Sequence, residues 1–353
     1  MKIFVWIIII IVVLIIVYFA GPKPKVPKLN LKINDGMVSE NLMTLEKEIN
    51  IKEQSISGIK PDNQARIVWA DTANKTKTEY SVVYLHGFSA SCGEGYPVNL
   101  NFANRYGCNM YMARLSEHGI KSENELLNLT PENYLESAKE AIVIGRQLGE
   151  KVIIMATSTG GTLSLALASE NPWIHALILY SPNIEVADKQ SDIFLKPWGM
   201  QIARLMKGKY NEFDDPPEVQ KYWNVKYRLE AVQSMKVLVE ATMIQSTFQK
   251  INQPLFLGYY YKNENEQDET VSVKRMLEMF GQVSTSEQYK WKVAFPEAGC
   301  HAIPSSIYNK NVKKVEIKTF QFAEEVLGMK PTMGVYPAPP SPDNDPNVLP
   351  VAK

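Results

Sequence analysis

Lys151-Val152-Ile153-Ile154-Met155-Ala156-Thr157-Ser158-Thr159-Gly160-Gly161 is the stretch that decides the reading of this chain. Lys151–Ala156 is a short apolar run of the kind that forms a strand buried on both faces. Gly160 to about Ser169 reads as a buried helix. Ser158 therefore falls in a tight strand-to-helix turn, where a strained backbone pushes a hydroxyl out over the sheet edge. Such a turn admits only small residues two before and two after the serine. Ala156 and Gly160 supply them, and Gly161 lets the helix approach. Taken alone, Ser158 reads equally well as a helix N-cap in an ordinary loop.

The surrounding chain alternates strand and helix patterns. Strands are predicted at Ala65–Ala70, Tyr80–Leu85 and Cys108–Arg114, then at Ile174–Tyr180, Pro254–Tyr261 and Trp291–Phe295. Thr130-Pro131-Glu132 opens a helix with a hydroxyl N-cap, a first-position proline and an acid in the first turn. That helix runs through Ala138, Ala141 and Leu148 to Gly149, and a last helix covers about Val312–Leu327. This order predicts an α/β fold with a mostly parallel sheet and helices on both faces. Right-handed crossovers put the strand C-terminal ends along one edge, so chemistry is expected in loops just after strands.

The stretch 182–250 breaks the alternation with a mainly helical pattern and is predicted to be a cap, between core segments 39–181 and 251–329. Its Trp198, Met200, Met206, Tyr210, Trp223, Tyr227, Met235 and Met243 are expected mostly to make a small core of the cap's own. Ile3 to Ala20 carries no charge and meets the requirement of about 20 apolar residues for a bilayer span. Tyr18 stands where a signal-peptide cleavage site would want a small residue, so residues 1–20 are expected to be an uncleaved anchor. Lys2 precedes the span whereas Lys23, Lys25, Lys28 and Lys32 follow it. A literal count puts the rest of the chain in the cytoplasm, but short N-termini do not all obey that rule, and the side stays open. Residues 21–38 read as a stiff linker. A short amphipathic helix follows Ser39, with Leu42, Leu45 and Ile49 on one face, and 330–353 reads as a disordered, proline-rich tail.

Composition narrows the function. The 353 residues are 45% apolar with formal charge zero, enough for one large core with an insertion. No basic stripe argues for nucleic acid. Cys92, Cys108 and Cys300 form no CxxC pair; buried free thiols are expected, with a Cys92–Cys300 bridge as the alternative. No HExxH, GxxxxGK or GxGxxG occurs, so no metal or organic cofactor is implied.

Three further pieces surround Ser158. His86-Gly87-Phe88 ends a buried strand, and the N–H groups of Phe88 and Thr159 are expected to hold a developing oxyanion. A serine needs an imidazole base, and of four histidines only His301 lies in a loop after the last strand. His86, His118 and His175 are expected to be structural. Asp268, just ahead of a helix predicted over Thr270–Met279, is the chosen acid. Glu264, Glu266 and Glu269 compete with it, and an acid from the preceding strand would be Glu185 or Asp188. Glu94, in Ser91-Cys92-Gly93-Glu94-Gly95-Tyr96-Pro97, reads as a surface-loop position, with a place in the pocket wall as the alternative.

Leu85-His86-Gly87-Phe88, Arg114-Leu115-Ser116-Glu117-His118-Gly119, the turn at Ser158, Asp268 with Val271, and Gly299-Cys300-His301 occur in a telling order. With them the stretch from about Ala65 to Leu327 resembles the α/β-hydrolase superfamily, most of all its carboxylesterase, monoacylglycerol lipase and serine aminopeptidase-like branch. Ala156 departs from the G-x-S-x-G pattern by one methyl group, the loop before Asp268 is longer, and many relatives lack the apolar N-terminus. The resemblance implies an α/β-hydrolase sheet with a cap inserted after the sixth core strand. It also implies a serine hydrolase acting on a small-molecule ester, acyl or lipid-like, through Ser158, His301 and Asp268. The alternatives are a peptidase or acyltransferase of the same fold, or a non-catalytic membrane-tethered binding protein. A peptidase would need acids in the cap to hold an amine, and Glu212, Asp214 and Asp215 are at hand.

Overall fold

The computed structural model describes residues 2–34, 36 and 38–332. Its elements begin with α1 (Lys2–Phe19), α2 (Leu42–Gln54), β1 (Arg66–Val68) and β2 (Thr78–Leu85). They continue with α3 (Val98–Arg105), β3 (Asn109–Met112), α4 (Pro131–Leu148), β4 (Gly149–Thr157), α5 (Thr159–Ala168) and β5 (Ala176–Tyr180). The insertion holds α6 (Gly199–Lys207), β6 (Tyr210–Glu212), α7 (Pro217–Tyr222), β7 (Lys226–Arg228), α8 (Leu229–Thr242) and α9 (Gln245–Phe248). β8 (Leu255–Tyr259), β9 (Tyr261–Asn263), β10 (Glu266–Gln267), α10 (Val273–Gln282), β11 (Lys290–Ala294) and α11 (Val312–Glu325) complete the order.

Seven strands form one sheet in the order β1-β3-β2-β4-β5-β8-β11, antiparallel only where β1 meets β3. The apolar runs make sense because the central strands are covered on both faces. Alternate residues serve opposite layers: Val83, Leu85, Ile154 and Leu177 face the side of α4, α5 and α8. Val82, Tyr84, Ile153 and Ile178 face the side of α3 and α11. Fully burying each such side chain stabilises by roughly 1.5–3 kcal/mol. The register aligns Leu85 with Ala156 and Ala156 with Leu179, so the loops after β2, β4 and β5 leave the same sheet edge.

Local signals mostly act as expected. Thr130 caps α4 in a reciprocal capping box with Asn133, and Gly149 ends that helix. α2 starts later than Ser39, because Asn41 accepts the Thr44 N–H. The insertion follows the fifth strand of the sheet, not the sixth. A single strand, β1, lies beyond β3 at that edge of the sheet. Nor is the insertion purely helical, since β6 and β7 pair as a short antiparallel ribbon. Met206 does not join a cap core: it is 72% exposed beside Leu205 on the outer face of α6.

α1 buries nothing, and every side chain from Ile3 to Phe19 is exposed. At 1.5 Å per residue its 18 residues reach about 27 Å, short of the roughly 30 Å of a hydrocarbon core. Among the described residues no helix is long and apolar enough to cross a membrane. Its far end meets the insertion, where the Trp198 N–H donates to Pro22 O at 2.9 Å and the Trp198 indole to Val17 O at 2.9 Å. Most of the tail expected over 330–353 lies outside the described residues; Thr332 within it donates its N–H to Arg105 O.

Candidate active site

Ser158 sits between β4 and α5 with φ +53° and ψ −122°, a conformation that side chains rarely adopt. Neighbouring backbone holds the strain in place. The Ser158 N–H donates to Tyr180 O at 3.0 Å, and its carbonyl accepts from Gly161 and Asn183. Gly160 is obligatory, since a Cβ there would lie 2.0 Å from Leu85 O. Ala156 is the last β4 residue to pair with both β2 and the inner part of β5, and its methyl is wholly buried, so the departure from glycine fits.

The structure brings His301 and Asp268 together: His301 Nδ1–H donates to Asp268 Oδ2 at 2.7 Å. Asp268 Oδ1 accepts the Thr270 and Val271 N–H groups at 2.9 and 3.1 Å. Residues 270–272 pair as an extended bridge with Glu185–Ala187, so α10 starts at Val273, capped by Ser272, rather than at Thr270. Burial alone would raise the Asp268 carboxyl, but His301 and the two N–H groups outweigh it and hold it below its usual range. Burial alone would depress His301, but Asp268, and more weakly Glu94, raise it above its ordinary value. His301 Nε2 is buried and has no hydrogen-bond partner.

The competing acids lie elsewhere. Glu185 faces Lys189 and Arg275, Asp188 caps a short turn, Glu264 accepts from Tyr261, and Glu266 pairs with Lys262. Glu269 is exposed. His86 is locked as a scaffold: its Nε2 accepts the Leu115 N–H, its Nδ1 faces Gly87 O, and burial pushes it down to about 4. His118 is buried and stacked on Tyr134, and His175 lies just ahead of β5 against Tyr80. All three cysteines are free, Cys92 and Cys108 buried and Cys300 half-buried, so no bridge joins Cys92 to Cys300.

Ser158, His301, Phe88 and Thr159 line one cavity of about 490 Å³ beneath the insertion. Phe88 stands in the loop after β2 and Thr159 at the start of α5, both on the walls of this cavity. Asn183 steadies Thr159 by donating from Nδ2 to its hydroxyl at 3.3 Å, a contact with no signal in the sequence. Glu94 is not a surface residue: it is 2% exposed and lines this cavity. Its charge in a glycine-flanked loop pointed outward, and only long-range packing turns it in. Ser158 and His301 line the same cavity without a hydrogen bond between them, and a strained hydroxyl and an oriented imidazole are the groups that nucleophilic acyl transfer requires.

No protein-family model matches the chain, and no curated protein matches it. Solved structures do. One from the metagenome-derived lipolytic enzymes LipS and LipT aligns over 75% of this chain and 98% of its own, with TM-score 0.60 and 12% identity. The monoacylglycerol lipase of Paleococcus ferrophilus covers 72% of this chain and 98% of its own, with TM-score 0.50 and 15% identity. A lipase-esterase related protein from Clostridium acetobutylicum covers 73% and 98%, with TM-score 0.50 and 16% identity. Identities this low speak for architecture alone. The chain has the α/β-hydrolase fold.

Proposed function

We propose that the protein is a serine hydrolase of carboxylic esters bearing an acyl chain or other apolar group, tethered to a membrane by its N-terminal helix. One observation carries the catalytic reading: His301 is bonded through Nδ1 to a buried Asp268, while its Nε2 stays unpartnered in the cavity that Ser158 lines. In this reading His301 Nε2 takes the Ser158 proton as Oγ attacks the ester carbonyl carbon. Phe88 and Thr159 N–H groups stabilise the oxyanion. The alkoxide leaves with the proton from His301, and water then attacks the acyl-enzyme by the reverse proton path. Phe213, Val225, Tyr227, Val232 and Met235 give the cavity the apolar wall that an acyl chain requires.

Labelling with a fluorophosphonate probe tests the nucleophile. Wild-type protein should label and Ser158→Ala should not; equal labelling of both, or of neither, rejects the assignment. A panel of short and long acyl esters then ranks the substrates. A peptidase is the second reading, favoured by Asp215, which lines the cavity and would hold a substrate amine. Glu212 instead pairs with Lys226, and Asp214 is exposed. Turnover of aminoacyl amides faster than of esters would select it. The tether rests on α1, whose residues Ile3 to Phe19 carry no charge and are all exposed. Full-length chain should sediment with phosphatidylcholine vesicles while 21–353 stays in the supernatant; a full-length chain left in the supernatant rejects the tether.

A further inference from the structure

Glu94 is a buried carboxyl with no part in the proton path, yet it touches the floor of the site. It lies in the short turn Cys92–Gly95 after β2. Its Oε2 accepts the Gly87 N–H at 2.6 Å, and the Tyr84 hydroxyl stands 3.5 Å away. A methyl group on Gly87 would sit 2.8 Å from Glu94 Oε1 and 2.9 Å from Ser158 Cβ. Gly87 is thus packed against both the carboxyl and the Ser158 side chain, and the next peptide carries the Phe88 N–H.

We propose that Glu94 is a positioning residue of the oxyanion hole: its ionised carboxylate clamps the Gly87 N–H and so fixes the direction of the Phe88 N–H. The length of the bond suits a charge-assisted one, about twice as strong as its neutral counterpart. The clamp matters because a donor stabilises an oxyanion only if it is aimed before the charge develops. Facing groups are few: His301 from the loop after β11, Tyr84 from β2, Tyr134 from α4 and Tyr308 ahead of α11. None is a lysine or arginine. Burial therefore pushes Glu94 up to about 7, against the opposing pull of the Gly87 N–H and His301, and the clamp strengthens as pH rises through that value.

The inference rests on Ser158 as nucleophile, and the test keeps the two apart. Glu94→Ala should lower kcat by about tenfold to a hundredfold, less than loss of a whole donor, with KM little changed. Fluorophosphonate labelling should slow in parallel. Glu94→Gln keeps an acceptor for Gly87 and loses only the charge, so it guards against misfolding. The ratio of wild-type to Glu94→Gln kcat should rise between about pH 6 and about pH 8, either side of the Glu94 value. A constant ratio means a purely structural role, and a falling ratio means that the charge opposes the oxyanion; either overturns the proposal. Failure of wild-type protein to label rejects the nucleophile itself, whereas a labelled wild type matched by an equally fast Glu94→Ala rejects the clamp alone.

Discussion

Asp268→Asn is the sharpest single perturbation of the site, because the structure dictates which way the new amide must turn. Asp268 Oδ1 accepts two backbone N–H groups, from Thr270 and Val271, while Oδ2 accepts one from His301. An asparagine has one acceptor oxygen, and two convergent donors claim it. Its NH₂ then faces His301 Nδ1 and forces that nitrogen to accept. The imidazole proton moves to Nε2, the atom that should take the proton of Ser158. An imidazole held in the wrong tautomer costs about 10⁴-fold in kcat, or roughly 5.4 kcal/mol of barrier. Removing the carboxylate also withdraws the partner that raises His301, so the acid limb of kcat/KM should shift to lower pH. Steady-state ester hydrolysis across pH, with a melting curve to exclude unfolding, measures both. A folded Asp268→Asn within about tenfold of wild-type kcat would refute the reasoning.

Other changes probe the turn and the buried charge. Gly160→Ala should cost about 1–3 kcal/mol of stability and lower kcat, since its Cβ meets Leu85 O; unchanged melting would show that the turn relaxes freely. Ala156→Gly, which restores the usual pattern, should destabilise by roughly 0.5–1 kcal/mol and leave kcat unimproved; faster turnover would mean that the methyl obstructs the elbow. Glu94 titrates higher when folded than when unfolded, so the stability tied to its protonated form is present below about pH 4.5 and lost as pH rises to about 7. Glu94→Gln should accordingly be more stable than wild type by up to about 3 kcal/mol at about pH 8, and matched to it at about pH 4; urea melts at both values check the sign.

The sheet was legible because strands buried on both faces leave continuous apolar runs, as Tyr80–Leu85 and Lys151–Ala156 do. The turn at Ser158 was legible for a steric reason: Gly160 has no room for a side chain beside Leu85 O, and Ala156 is wholly buried. His301 and Asp268 followed from their places after strands, and their hydrogen bond agrees with that choice over five other carboxylates. What stayed hidden depends on contacts distant in sequence. Glu94 is inward only because Gly87 offers an N–H and Tyr84 and Tyr222 close the loop around it. The ribbon of β6 and β7 has strands of three residues, too short for any period to register. The start of α10 was misplaced because residues 270–272 pair as an extended bridge with Glu185–Ala187, a contact distant in sequence.

Trp198 joins two parts of the chain that the sequence keeps far apart. It stands at the head of α6 and holds Pro22 by its backbone and Val17 by its indole, each at 2.9 Å. Net worth of such bonds is about 0.5–1.5 kcal/mol apiece. The insertion is thereby tied to the N-terminal segment, so a disturbance of α1 reaches α6 without passing along the chain between them.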